Sequence, residues 1–108
     1  MTEWPNDRWQ NKWTYQLAVK FYQECKTIKL EAHLKNQLNR ASSSIALNLA
    51  EGAGRSSKAD TKRFYQIALG SLRESQAILD INNKNKTSAY MLADKLGANL
   101  FCLIKKTV

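Results

Sequence analysis

Glu51 and Glu74 are the two carboxylates placed to do acid–base chemistry, because each stands among apolar or small residues. Carboxylates that share a site can share one proton, and the group that keeps it serves as a general acid. The same sequence supplies Arg40, Arg55, Arg63 and Arg73. A glutamate among arginines in a helical chain is more simply a structural ion pair, and that reading is favoured here. The other chemistry-bearing residues form no constellation. His33 is the single histidine, with no cysteine or carboxylate at helical ligand spacing to complete a metal site. Ser42, Ser43 and Ser44 have no base beside them, and the EGAGR stretch from Glu51 to Arg55 lacks the GK[ST] ending and preceding strand of a phosphate loop. Cys25 and Cys102 lie far apart without a CxxC pair and read as reduced packing residues. The expectation is a protein that is not an enzyme and holds no metal or cofactor.

The charge pattern says more. The chain carries 17 basic and 9 acidic residues, a formal net charge of +8, which biases its partners toward polyanions. Many basic domains bind no nucleic acid, so the placement of the charges matters. Arg55, Lys58, Lys62 and Arg63 crowd the start of a predicted helix, where the macrodipole disfavours each cation by about 0.3–1 kcal/mol. Stability alone does not select that arrangement. Free backbone N–H groups together with these side chains make a phosphate site, expected to bind nucleic acid (RNA or RNA/DNA) in a sequence-independent, salt-sensitive way. The competing reading is a solvated face partly paired to Asp60 and Glu51.

These residues sit on or beside the stretch RASSSIALNLAEGAGR, Arg40 to Arg55, which has no charge between Ala41 and Ala50. A helix without charge over about three turns is buried on most of its circumference. Leu34, Leu38, Ala41, Ile45 and Leu49 recur at threes and fours and define its core face. Arg40, Ser44, Asn48, Glu51 and Arg55 form a polar stripe beside it, with Ser44 and Asn48 expected to hydrogen-bond across to another helix. Ser43, Ala46, Ala50 and Ala53 make a third, small-residue face. A second packing surface in so short a chain favours an oligomer interface over the centre of a larger domain.

One Pro, four Gly and 44% apolar residues indicate an all-α chain of one domain. Helix one, with Trp9, Trp13, Leu17 and Phe21 at i, i+4 spacing continuing through Cys25 and Ile28, starts between residues 8 and 14 and runs to about 29. Residues 1–12 form a Trp-rich, partly irregular segment with Asn6 or Asp7 as cap, and 13–108 the bundle. Helix two starts at Glu31 and ends at Gly52-Ala53-Gly54, where glycine is expected to supply a left-handed cap. Ser57 with Asp60 resembles a capping box opening helix three, 58–82. Gly70 inside that helix costs about 1 kcal/mol relative to alanine, so another helix is expected close to Gly70 and Ser71. The loop 82–88 leads to helix four, about 88–106, with Leu92, Leu96, Leu100 and Leu103 as its core stripe. Short connections predict an antiparallel up-and-down four-helix bundle. No apolar run approaches the length of a membrane span and no signal-peptide core opens the chain, so the protein is expected in the cytoplasm, away from membranes.

Residues 40–55 resemble the R-x-x-x-S-I-x-x-N-(I/L)-A-E-G-x-G-R signature of the four-helix bundle proteins encoded by intervening sequences in bacterial 23S ribosomal RNA genes. FYQIALGSLRES, residues 64–75, is similar to that family's second motif, F-x-x-I-A-x-G-S-L-x-E. The signature positions are Arg40, Ser44, Asn48, Glu51, Gly52, Gly54 and Arg55, then Phe64, Ala68, Gly70, Ser71 and Glu74. The resemblance implies an antiparallel bundle assembled into a ring, commonly a homopentamer. The family fold is also similar to the accessory protein of diversity-generating retroelements, which implies a scaffold joining RNA to a reverse transcriptase. The alternative is an intervening-sequence protein that is a structural oligomer with a protein partner and no nucleic-acid role. The Trp-rich start and the C-terminus soon after helix four depart from the usual pattern.

Overall fold

The computed structural model describes residues 9–107, which form α1 (Trp9–Lys26), α2 (Ala32–Ala53), α3 (Lys58–Ile81) and α4 (Ser88–Lys106). Each helix packs closely on its chain neighbours and α1 also packs on α4, while the backbones of the diagonal pairs stay apart. This is the closed square of an up-and-down bundle, with overall dimensions of 40 × 23 × 21 Å. The expected all-helical, four-helix architecture is what the chain forms. Of the Trp-rich segment, residues 1–8, including the proposed caps Asn6 and Asp7, lie outside the described residues, and 9–12 are the first turn of α1.

The apolar ladders meet along the bundle axis. Leu17, Phe21, Cys25, Leu38, Ile45, Leu49, Tyr65, Leu72, Leu79, Leu96 and Leu100 are buried in one continuous core, each large side chain contributing about 1.5–3 kcal/mol by leaving water. Trp13 packs on the margin of this core with the Lys95 ammonium 5.5 Å from its ring centre. Ser42 and Ser75 are buried polar groups, and each hydroxyl donates to the carbonyl one turn earlier, Leu38 at 2.6 Å and Ser71 at 2.9 Å. Bonded back to their own helix in this way, they need no partner across the core.

α1 ends at Lys26, a little before the expected position. Thr27 and Ile28 N–H groups close onto the Glu24 and Cys25 carbonyls at 3.1 Å, and the Lys35 ammonium of α2 covers the carbonyls of Cys25 at 3.1 Å, Lys26 at 2.8 Å and Ile28. A cation on the C-terminal carbonyls satisfies groups that a helix leaves bare, which is how the chain reverses here without Gly or Pro.

Two glycine expectations are corrected. Gly54 caps α2 with φ −89°, and no glycine among the described residues has positive φ. The left-handed cap lies instead after α3, at Asn83 with φ 58°, where Lys84 N–H reaches the Leu79 carbonyl at 2.8 Å in a Schellman-type closure. Gly52 is required by packing: a Cβ there would meet the Tyr65 ring at 2.9 Å and Phe64 Cβ at 3.0 Å. Gly70, expected at a close helix approach, has nothing within 4 Å of a Cβ placed on it.

Candidate nucleic-acid interface

The up-and-down topology gathers the start of α1, the end of α2, the start of α3 and the end of α4 at one end of the bundle. The turn between α2 and α3 is held by Gly54 N–H to the Glu51 carbonyl and Arg55 N–H to the Gly52 carbonyl, both 3.2 Å. Ser57 caps α3: its Oγ accepts from Asp60 N–H at 3.1 Å and its carbonyl from Thr61 N–H at 3.0 Å. The Lys58 and Ala59 N–H groups of the first turn have no acceptor among the described residues. Half of the expected capping box is therefore present. The Asp60 carboxylate turns forward to Arg63, accepting from Nη2 at 3.2 Å and Nε at 3.3 Å.

Arg55 is likewise engaged, in an ion pair with Glu51 one turn back. Both guanidinium groups lie over the Phe64 ring, Arg55 at 4.7 Å and Arg63 at 4.5 Å from its centre, the favourable geometry of a cation on an aromatic face. Of the four cations expected to contact phosphate, Arg55 and Arg63 are thus partly paired, as the competing reading allowed, while Lys58 and Lys62 make no ion pair among the described residues. Exposed pairs of this kind are worth about 0–1 kcal/mol and are screened by salt, so the end of the bundle stays cationic.

Beside the turn lies a cleft of about 480 Å³. Arg55, Lys58 and Lys106 contribute charge to its lining, and Asn11, Ser57 and Thr61 contribute polar groups; among the described residues no carboxylate lines it. Lys62 and Arg63 do not line it. Asn11 is only 5% exposed and Thr61 8%. Sequence reasoning missed Asn11, Thr61 and Lys106, each unremarkable on its own helix. The signal was available only through topology, since an antiparallel bundle must bring the end of α4 beside the start of α3.

Of the family-motif residues, Arg55 belongs to the cleft and Gly52 and Ala68 are buried, while Arg40, Ser44, Asn48, Gly70, Ser71 and Glu74 lie toward a different surface, the outer face of the α2–α3 pair. Ser71 Oγ donates to Ser44 Oγ at 3.0 Å, which fixes the antiparallel register: each step along α2 toward its end is matched by a step back along α3. Asn48, expected to reach across to another helix, instead donates within α2 to the Ser44 carbonyl at 2.8 Å and to Ser44 Oγ at 2.9 Å. Leu47 and Ile67 stand at the same level, 67% and 42% exposed. Arg40 and Glu74 lie exposed further along, with Gly70 open beside Ser71. The small face of α2 is divided, for Ala53 is buried and Ala46 packs on the core while Ala50 stays exposed.

The match to a family model now decides the kinship. The model for 23S rRNA-intervening sequence protein covers residues 7–106. The chain belongs to the 23S rRNA-intervening sequence protein family. A comparison with curated proteins returned no match. In this family member the two motifs seen in the sequence are joined physically through Ser44 and Ser71, and Phe64 of the second motif receives Arg55 of the first.

The remaining candidate chemistry is dispersed. Glu51 lies level with Phe64, and Glu74 is ten residues further along α3, about 15 Å away at 1.5 Å per residue, so the two carboxyls cannot share a proton. His33 and Glu31 are exposed, 3.7 Å apart, and among the described residues no three metal-ligating side chains converge. No described helix is long and apolar enough to cross a membrane.

Proposed function

We propose that this intervening-sequence family protein is a homo-oligomer that binds nucleic acid through phosphate contacts at the turn end of each bundle. The observation that carries the reading is the α3 start: unspent N–H groups at Lys58 and Ala59, with Lys58, Arg55 and Lys106 beside them and no carboxylate in the lining among the described residues. Cations at a helix N-terminus cost stability, and an anion bound there reverses the sign of that interaction. The family's connection to ribosomal RNA genes makes RNA the first nucleic acid to try.

Oligomerisation rests on the outer α2–α3 face. Leu47 and Ile67 expose apolar area side by side, and Gly70 weakens its helix with no neighbour inside the chain to need the space. A second copy on that face supplies the neighbour, and a closed ring, such as a pentamer, then multiplies the basic ends into a rim. The test is fluorescence anisotropy with a structured RNA over a salt series, on the wild type and on Lys58→Glu with Lys62→Glu. The expected result is a log affinity falling linearly with log salt, and a shallower slope with weaker binding in the variant. Equal affinity and slope would sink the phosphate site.

A second reading is favoured by the pairing of Arg55 with Glu51 and of Arg63 with Asp60, which spends half of the expected cations internally. In that reading the protein is a structural oligomer with a protein partner and no nucleic-acid role, whereas a reverse transcriptase as partner belongs with the RNA-binding reading, as a scaffold joining it to RNA. RNA-independent co-purification of a protein partner, with no RNA binding at low salt, would favour the structural reading.

A further inference from the structure

We infer that the cleft at the turn end of the bundle is a binding site for the phosphate monoester of a nucleotide. The inference deepens the nucleic-acid reading above and rests on it for the identity of the polymer, but the cleft has its own evidence. Asn11 and Thr61 are more than nine-tenths buried, line the cleft, and make no side-chain hydrogen bond with any described residue. Their polar atoms are nonetheless not sealed from solvent, so they open onto the cleft, and water or a ligand held there takes their hydrogen bonds.

The donors and charges match one chemistry. Arg55, Lys58 and Thr61 line the cleft together at the start of a 24-residue helix, where the Lys58 N–H, the Thr61 hydroxyl and the Lys58 and Arg55 side chains are its donors and charges. A doubly charged phosphate with three terminal oxygens accepts from all of these at once, while an internal phosphodiester offers two such oxygens and one charge. Access points the same way. The cleft is walled by Asn11 of α1, by Thr61 of α3, by Arg55 and Ser57 of the turn, and by Leu103 and Lys106 of α4. A strand passing through must enter and leave, whereas a terminal group enters end-on. The volume of about 480 Å³ exceeds a phosphate and falls in the range of small-ligand pockets. The Asn11 carboxamide brings an acceptor as well as donors, which suits a ribose hydroxyl next to the phosphate. Free nucleotides and the 5′ ends of processed RNA both present this group.

The experiment compares, on the full chain, one short RNA bearing a 5′-phosphate with the same RNA bearing a 5′-hydroxyl, and adds adenosine monophosphate as competitor. The 5′-phosphate RNA is expected to bind at least ~10-fold more tightly, and adenosine monophosphate to displace it. Lys58→Met and Thr61→Val should bring the two RNAs to equal affinity; Lys58 is exposed, so that variant keeps the fold even if Thr61→Val loosens it. Equal binding of the two RNAs by the wild type overturns the monoester site and leaves the nucleic-acid reading standing. Binding of adenosine monophosphate, lost in Lys58→Met, without binding of either RNA keeps the monoester site, assigns it to free nucleotides and overturns the nucleic-acid reading.

Discussion

Ser71 Oγ donates to Ser44 Oγ at 3.0 Å, and that oxygen also accepts from Asn48 Nδ2 at 2.9 Å. The most distinctive polar residues of the two motifs thus form one half-buried network between α2 and α3. Ser44→Ala leaves the Ser71 hydroxyl without its cross-helix acceptor, while Asn48 keeps the Ser44 carbonyl. The expected loss is about 1 kcal/mol, read as a fall of roughly 4 °C in Tm. Ser71→Ala should cost less, because Ser44 retains Asn48, and the double variant should fall short of the sum of the two.

Two glycines separate packing from propensity. A Cβ on Gly52 runs into the buried Tyr65 ring at 2.9 Å and the backbone-proximal Cβ of Phe64 at 3.0 Å, so Gly52→Ala should destabilise by about 1–3 kcal/mol through overpacking. On Gly97 the same atom finds Leu72 Cδ2 at 3.5 Å, an ordinary contact, and Gly97→Ala should stabilise by roughly 0.5–1 kcal/mol through helix propensity. Urea denaturation of the two variants gives opposite signs if the contacts are right. Loss of stability in Gly97→Ala would mean that α4 sits closer to α3 than the structure places it.

The core was legible because Leu38, Ile45, Leu49, Leu72, Leu79, Leu96 and Leu100 repeat at threes and fours, and a helix has one way to bury such a stripe. The start of α3 was legible from Ser57 and Asp60, whose cap is local. Gly52 was read as a cap because it precedes a turn; its actual role depends on Tyr65 and Phe64 of the following helix, which no local rule reveals. Asn48 was expected to bond across helices, but a side-chain amide one turn from the Ser44 carbonyl finds a nearer acceptor. At the candidate site the sequence marked Arg55 and Lys58, adjacent in the chain, and missed Asn11 and Lys106, which join them only through the topology of four helices.

Lys35 carries a testable share of the first reversal of the chain. Its ammonium covers three carbonyls at the end of α1, and hydrogen bonds to a charged group are worth about 1.5–3 kcal/mol where well formed. Lys35→Met keeps the aliphatic stem and removes the cap. A loss of about 1–2 kcal/mol is expected by chemical denaturation, with the earliest loss of amide protection at Thr27 and Ile28. An unchanged midpoint would show that water replaces the ammonium at no cost.

The two thiols should behave differently. Cys102 is exposed and Cys25 fully buried. Burial pushes the Cys25 thiol from its ordinary 9.0 up to about 12, against smaller opposing effects of the Lys35 ammonium and the Ser42 hydroxyl. A thiol reagent at neutral pH should label one cysteine in the native protein and two in urea. Below pH 9 the folded and unfolded chains both hold the Cys25 proton, so it contributes no pH dependence. Between 9 and 12 only the unfolded chain releases it, and stability falls as pH rises. The Cys25→Ala variant should lose that part of the slope, and an identical slope in both proteins would refute the shift.

Gly70 gives the sharpest test of the oligomer. In an isolated chain a Cβ at this position meets nothing, so Gly70→Ala and Gly70→Leu should each stabilise α3 by up to about 1 kcal/mol. If a second copy packs on the outer α2–α3 face, Gly70→Leu instead drives a side chain into that copy, and Leu47→Glu places a charge in the same seam beside Ile67. Light scattering should then show the wild type as an oligomer and both variants shifted toward the monomer, with helical content unchanged. The two substitutions differ in chemistry and share only the surface, so a common loss of mass locates the interface. Should Gly70→Leu raise Tm and leave the mass untouched, the assembly forms through another face, and the exposure of Leu47 and Ile67 requires a different partner.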